Sequence, residues 1–94
     1  MSLPDLPSPT NPPGADTPDF KETVDATGLS CPLPILRAKK ALATLSAGDV
    51  LRVITTDRGA VRDFQAFCKQ TGNLLLAQID ETDHVTHFLE RRSK

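Results

Sequence analysis

The spacing of apolar and polar positions predicts a short series of elements after residue 19. Over residues 20–26, Phe20, Val24 and Ala26 alternate with Lys21, Thr23 and Asp25, the two-residue period of a half-buried strand. Over residues 32–45 the period changes. Ile35, Ala38, Leu42 and Leu45 fall on one stripe flanked by Ala41, as on a helix with one buried side, and Gly48 supplies a stop. Residues 49–56, DVLRVITT, are β-branched and apolar with one interruption and read as a central strand. A second helix is predicted over residues 58–71, with Ala60, Val61, Phe64, Phe67 and Cys68 on its apolar face and Gly72 at its end. NLLLAQIDE and VTHFLER, separated by Thr82, Asp83 and His84, close the pattern as a hairpin.

The order is therefore β-α-β-α-β-β. Helices apolar on one side only can bury that side against a sheet. The expected fold class is α+β, a two-layer sandwich with two helices on one face of a four-stranded mixed sheet.

Composition divides the chain. Residues 1–19 hold Pro4, Pro7, Pro9, Pro12, Pro13 and Pro18, three aspartates, and neither Lys nor Arg. So little apolar content cannot offset the entropy of ordering, and this stretch reads as a flexible Pro-rich tail ahead of one folded domain over residues 20–94. It lacks the basic start and continuous apolar run of a signal peptide. With the tail set aside, eleven Lys and Arg face nine Asp and Glu. That balance argues against a surface built for phosphate backbones, so no direct nucleic-acid contact is expected. Nor is a membrane partner, because no stretch is apolar enough to span a bilayer. Two cysteines without an export signal point to a reducing, cytoplasmic setting.

The chemistry concentrates in TGLSCPLPILRAKKAL. The first N–H groups of a helix have no intrahelical acceptor, so proline in the first turn gives up no hydrogen bond. With Cys31 as the cap, Pro32 and Pro34 become the first and third helical residues and fix the helix start at the thiol. A helix N-terminus favours an anion, so the thiol is expected to ionise more readily than a free one. The prolines remove two donors, leaving the amides of Leu33 and Ile35, and the activation should be moderate. A Cys-x-x-Cys pair would carry a resolving thiol where Pro34 stands, so a sulfur atom attached to Cys31 has no close neighbour to expel it.

With Asp25, Gly28, Leu29, Cys31, Pro32 and Pro34 in the pattern D-x-x-G-L-x-C-P-x-P, residues 22–89 resemble the TusA (SirA-like) family of sulfur carrier proteins. The resemblance implies a two-layer α/β sandwich and a cytoplasmic carrier holding a persulfide on Cys31. It implies transfer from a cysteine desulfurase or rhodanese-type donor to an acceptor protein, serving tRNA thiolation, molybdenum cofactor assembly or sulfur oxidation. Family members often have proline after the aspartate that opens the second helix, whereas here Asp57 precedes Arg58. Thiol exchange needs no acid–base pair, so the absence of a Cys-His or Ser-His-Asp set is expected. No cofactor is expected, and the resemblance implies a sulfurtransferase-type carrier more than a stand-alone catalyst.

Other residues have blander readings. Cys68 sits on the apolar stripe and reads as a buried structural thiol. His84 and His87 are odd-spaced in a strand, which sends them to opposite faces, and no metal site is expected. Asp57 should cap the second helix through its carboxylate and could also meet a partner near Cys31. Arg62 and Asp63 match family positions, though a solvated charged turn explains them equally. Leu33, Leu36, Arg37 and Lys40 lie opposite the core stripe and form, with Asp57 and Arg62, a candidate docking patch. Two rival functions make different demands. An RNA-binding or regulatory module wants a basic face and stacking aromatics, and this chain has four Phe and no Tyr or Trp. A thiol peroxidase or reductase wants a resolving thiol, which Cys68 is too buried to provide.

Overall fold

Alternation along the second strand sends Leu51, Val53 and Thr55 to one side, where each is buried, and leaves Arg52 and Ile54 on the other. The computed structural model in which this is seen describes residues 18–92, so nearly all of the expected tail lies outside the described residues. The elements are β1 (Glu22–Ala26), α1 (Leu33–Ala43), β2 (Val50–Thr55), α2 (Ala60–Thr71), β3 (Leu74–Asp80) and β4 (Val85–Glu90). The sheet order is β1-β2-β4-β3, with β1 parallel to β2 and the other pairs antiparallel. The fold is α+β, with two helices on a four-stranded mixed sheet. Helix α1 packs over β1 and β2, and α2 packs over β3 and β4.

The core lies between the layers. Ala26, Leu51, Val53 and Leu89 rise from the sheet to meet Ala38, Ala41 and Leu42 of α1 and Ala60, Phe64 and Cys68 of α2. Small residues dominate the buried side of α1, which lets its backbone come close to the strands. Gly72 ends α2 with φ 85°, a left-handed conformation that only glycine adopts without strain, and its N–H returns to the Cys68 carbonyl at 2.9 Å.

Several boundaries differ from the expected ones. Helix α1 begins at Leu33 with Pro32 as its N-cap, so Cys31 stands just outside the helix and is not its cap. It ends at Ala43, yet Leu45 still reaches the core. Helix α2 begins at Ala60 and not Arg58, because residues 57–60 first close a turn from the Ala60 N–H to the Asp57 carbonyl at 3.0 Å.

Phe20 departs furthest from the pattern. Strand pairing starts at Glu22, and Phe20 crosses to the face away from the helices. Its ring centroid lies 6.2 Å from that of Phe88, and the Arg52 guanidinium stands 4.4 Å above it. A ring contact and a cation over the aromatic face outweigh simple continuation of the alternation.

Candidate functional site

Because β1 and β2 are parallel neighbours, the loops that follow them leave the sheet at the same edge. Two hydrogen bonds join these loops. The Gly28 N–H donates to Thr56 Oγ1 at 2.8 Å, and the Cys31 N–H donates to Asp57 Oδ2 at 3.1 Å. Gly28 has φ 80°, and a Cβ there would meet open space, so backbone conformation alone favours glycine. Leu29 anchors the loop by packing on the core, and its N–H bonds the Ala26 carbonyl at 3.2 Å. Pro34 is buried under the first turn of α1, while Pro32 is exposed; the Cys31–Pro32 peptide is cis.

Cys31 is exposed. Its thiol is pushed up from the ordinary value, first by a hydrogen bond to the Asp63 carboxylate, then by desolvation and by the charges of Asp63 and Asp57. This reverses the activation expected from a helix start. The local arrangement explains the reversal. Cys31 precedes the N-cap, and of the two amides left to serve the sulfur, that of Leu33 already donates to the Ser30 carbonyl at 2.9 Å. Two carboxylates then oppose a thiolate where a partly positive helix end was expected to favour one.

Asp57 is likewise not the cap it was expected to be. Helix α2 has Gly59 as N-cap and no side-chain cap bond; the Asp57 carboxylate points across to the Cys31 amide instead. Asp63 lies in the first turn of α2 on the same side. A Cβ placed on Gly59 would sit 3.6 Å from Asp57 Oδ2 and 4.0 Å from Asp63 Oδ2. Both carboxylates thus converge beside the cysteine loop, and Arg62 is exposed next to Asp63. Thr56 is the member that sequence reasoning did not single out, and Asp63, noted there only as a family position in a charged turn, was not expected to face the thiol. The signal available was topological: parallel β1 and β2 bring both helix starts to one edge.

Leu33 and Leu36 are 46% and 53% exposed, and Arg37 and Lys40 are exposed along the same helix. The site is therefore an exposed surface around a thiol, with Leu33, Leu36, Arg37, Lys40, Arg62 and the carboxylates of Asp57 and Asp63 at its margins. A cleft of about 280 Å³ lies beside Asp57 and Arg58, between the start of α2 and the turn at Asp83 and His84, and Cys31 does not line it.

The remaining candidates fall outside this surface. Cys68 is buried in the core, and burial pushes its thiol up to about 11. His84 lies in the turn before β4, with Nδ1 2.7 Å from Asp83 Oδ1. His87 is fully buried, with Nε2 2.8 Å from Thr55 Oγ1 and Nδ1 3.0 Å from Gln78 Nε2. The two histidines do not converge, and among the described residues no group of three or more His, Cys, Asp or Glu could hold a metal ion. Phe64 is buried and Phe67 half-buried, so neither is free to stack on a base. No helix among the described residues is long and apolar enough to cross a membrane.

Comparison with known proteins agrees with this architecture. The family described as Sulfurtransferase TusA matches residues 22–91. The chain is 56% identical over 75 residues to the sulfur carrier protein TusA of Allochromatium vinosum, covering 80% of this chain and 97% of that one. It is 39% identical over 71 residues to the sulfur carrier protein TusA of Pseudomonas entomophila, covering 76% and 89%. Among solved structures, a SirA-like protein from Desulfitobacterium hafniense superposes with a TM-score of 0.68 at 28% identity, covering 77% of this chain and 99% of that one.

Proposed function

Since the chain belongs to the TusA family of sulfur carrier proteins, we propose that Cys31 is the atom on which it carries sulfur, as a persulfide. The observation that supports this most directly is the contrast between the two thiols. Cys31 is exposed at the meeting of two loops, whereas Cys68 is enclosed in the core. A loaded Cys31 thus has no thiol of its own chain at hand to displace its cargo as a disulfide.

The Cys31 thiolate attacks the terminal sulfur of a donor persulfide. A bond forms from Sγ to that sulfur, the donor S–S bond breaks, and its electron pair leaves on the donor thiolate, which takes up the proton that Cys31 gave up. The reverse exchange with an acceptor thiolate unloads the carrier, with no net oxidation. The raised thiol pKa keeps the thiolate fraction of the free protein small, while each thiolate formed is more nucleophilic than an acidic one. Such a thiol is quiet at rest.

The donor is a cysteine desulfurase or a rhodanese-type protein, and the acceptor is a second protein feeding tRNA thiolation, molybdenum cofactor assembly or sulfur oxidation, in the cytoplasm. Leu33 and Leu36 supply the apolar contact, and Arg37, Lys40, Asp57 and Arg62 set its orientation; Gly28, Leu29, Pro32 and Pro34 shape the loop beneath. The test is mass spectrometry after incubation with a cysteine desulfurase and cysteine. One added sulfur atom mapped to Cys31, and absent in Cys31→Ser, is the expected result. Sulfur on Cys68, or none on either thiol while the desulfurase itself becomes loaded, contradicts it.

A further inference from the structure

Asp57 lies two residues before Gly59, the N-cap of α2, and its carboxylate caps nothing. Its carboxylate accepts the Cys31 N–H at 3.1 Å across a separation of 26 residues, and the neighbouring Thr56 hydroxyl accepts the Gly28 N–H at 2.8 Å. Consecutive residues at the end of β2 therefore grip the cysteine loop at two points. The loop's other restraints are local turns, among them Leu29 to Ala26 and Leu33 to Ser30. Of the bonds that tie this loop to the rest of the sheet, the one at Cys31 is the one that decides where the sulfur stands relative to α2.

Asp63 makes that position matter. It stands in the first turn of α2, its backbone N–H on the Gly59 carbonyl at 3.0 Å, and its carboxylate converges with that of Asp57 beside the cysteine loop, near enough to push the Cys31 thiol up. We infer that Asp57 is a positioning residue: by holding the Cys31 amide it keeps the sulfhydryl against the Asp63 carboxylate. This rests on the reading of Cys31 as the sulfur-bearing thiol only for its functional meaning, which is that the empty carrier is held in a guarded state until a partner displaces Asp63. The geometry itself is testable without any sulfur transfer.

The two carboxylates act on the thiol in different ways, and this separates positioning from mere charge. Asp63 does most to raise the thiol and the Asp57 charge does least. Asp57→Asn removes the charge but retains an oxygen that accepts the Cys31 N–H. Asp57→Ala removes both.

The experiment is alkylation of the full chain by iodoacetamide as a function of pH, with modification at Cys31 read by mass spectrometry. At pH 7.5, Asp57→Asn is expected to raise the rate by no more than about twofold, and Asp57→Ala by about tenfold, because the released loop also loses Asp63. Adding Asp63→Asn should accelerate the Asp57→Asn protein further and leave the Asp57→Ala protein unchanged, the non-additivity of residues acting through one another. Equal effects of Asn and Ala at position 57, with Asp63→Asn adding independently to each, would overturn the inference. Amide hydrogen exchange gives a second readout that survives a failure of Asp57→Ala to fold. The Cys31 N–H should be protected in the native protein and in Asp57→Asn; exchange at the rate of an unstructured amide in either one refutes the grip. Failure of the desulfurase to load wild-type Cys31 would bear on the proposed function alone, since neither readout here involves a persulfide.

Discussion

Thr55 and His87 face each other across β2 and β4, with Oγ1 2.8 Å from Nε2 and both residues fully buried. The Gln78 side chain fixes the imidazole tautomer. Its Nε2 donates to the Val61 carbonyl at 3.0 Å and stands 3.0 Å from His87 Nδ1, while its Oε1 accepts from Gln65 Nε2. An amide nitrogen has only protons to offer, so Nδ1 is the acceptor and Nε2–H donates to Thr55. The Phe64 ring lies 4.6 Å from the imidazole, centroid to centroid, and helps bury it at the strand end that leads into Thr56 and Asp57.

A neutral buried histidine makes the fold sensitive to acid. Burial lowers His87 from 6.5 to about 4, so between those values the unfolded chain binds a proton that the folded one refuses. Stability is therefore complete above pH 6.5 and falls as pH drops toward 4, by roughly 2–3 kcal/mol. Urea midpoints measured across this window should show the fall, and His87→Leu should abolish the slope between about pH 5 and 6.5 even as it lowers stability overall. A flat profile in the wild-type protein refutes the assignment. Asp25 and Asp83, both lowered from 3.8, add to the fall only from about pH 5 downward, so the slope between pH 5 and 6.5 belongs to His87.

The thiols should differ in reactivity by environment. In the native protein iodoacetamide should modify Cys31 alone, and its rate should still be climbing at pH 9, because carboxylates hold that thiol above its ordinary value of 9.0. Cys68, enclosed and raised to about 11, should react only on unfolding. A Cys31 rate that levels off below pH 8 would show an activated thiolate and contradict the arrangement of Asp63 and Asp57.

The exposed leucines of α1 allow a separation of docking from chemistry. Leu36→Asp should slow loading from a desulfurase by about tenfold and leave loading from a low-molecular-weight persulfide near the wild-type rate, with unfolding by urea unchanged. Equal rates with the desulfurase would remove Leu36 from the interface.

Phe64 joins both layers, touching the core of α2 and the His87 ring. Phe64→Ala should cost about 3–5 kcal/mol, a large part of the stability of so small a domain. Thermal unfolding should show a midpoint lowered by more than ten degrees or no cooperative transition, on the order expected for a domain of this length. Survival of the wild-type midpoint would mean that this ring does not fill the space assigned to it.

Periodicity is a local property, and what it governs was legible in the chain. The alternation of Leu51, Val53 and Thr55, the stripe through Ala38 and Leu42, and the placement of Cys68 inside and Leu36 outside all follow from 2.0 and 3.6 residues per repeat. The glycine at position 72 stops α2 for reasons contained in its own backbone. The motif around Cys31 made the thiol the centre of the candidate site before any fold was known. The direction of its pKa shift was not legible, because it depends on Asp63, which reaches Cys31 only once parallel β1 and β2 bring their loops to one edge. The same holds for Asp57. Local rules send its carboxylate to the amides of α2, and the tertiary fold offers instead a Cys31 amide that the loop leaves without a local acceptor. Phe20 follows the strand period in sequence but not in space, since Phe88 and Arg52 come together only when β4 inserts beside β2. A sequence states which faces are apolar; strand order and register decide which hydroxyl, carboxylate or ring lies within bonding distance of which partner, and that depends on pairs of residues far apart in the chain.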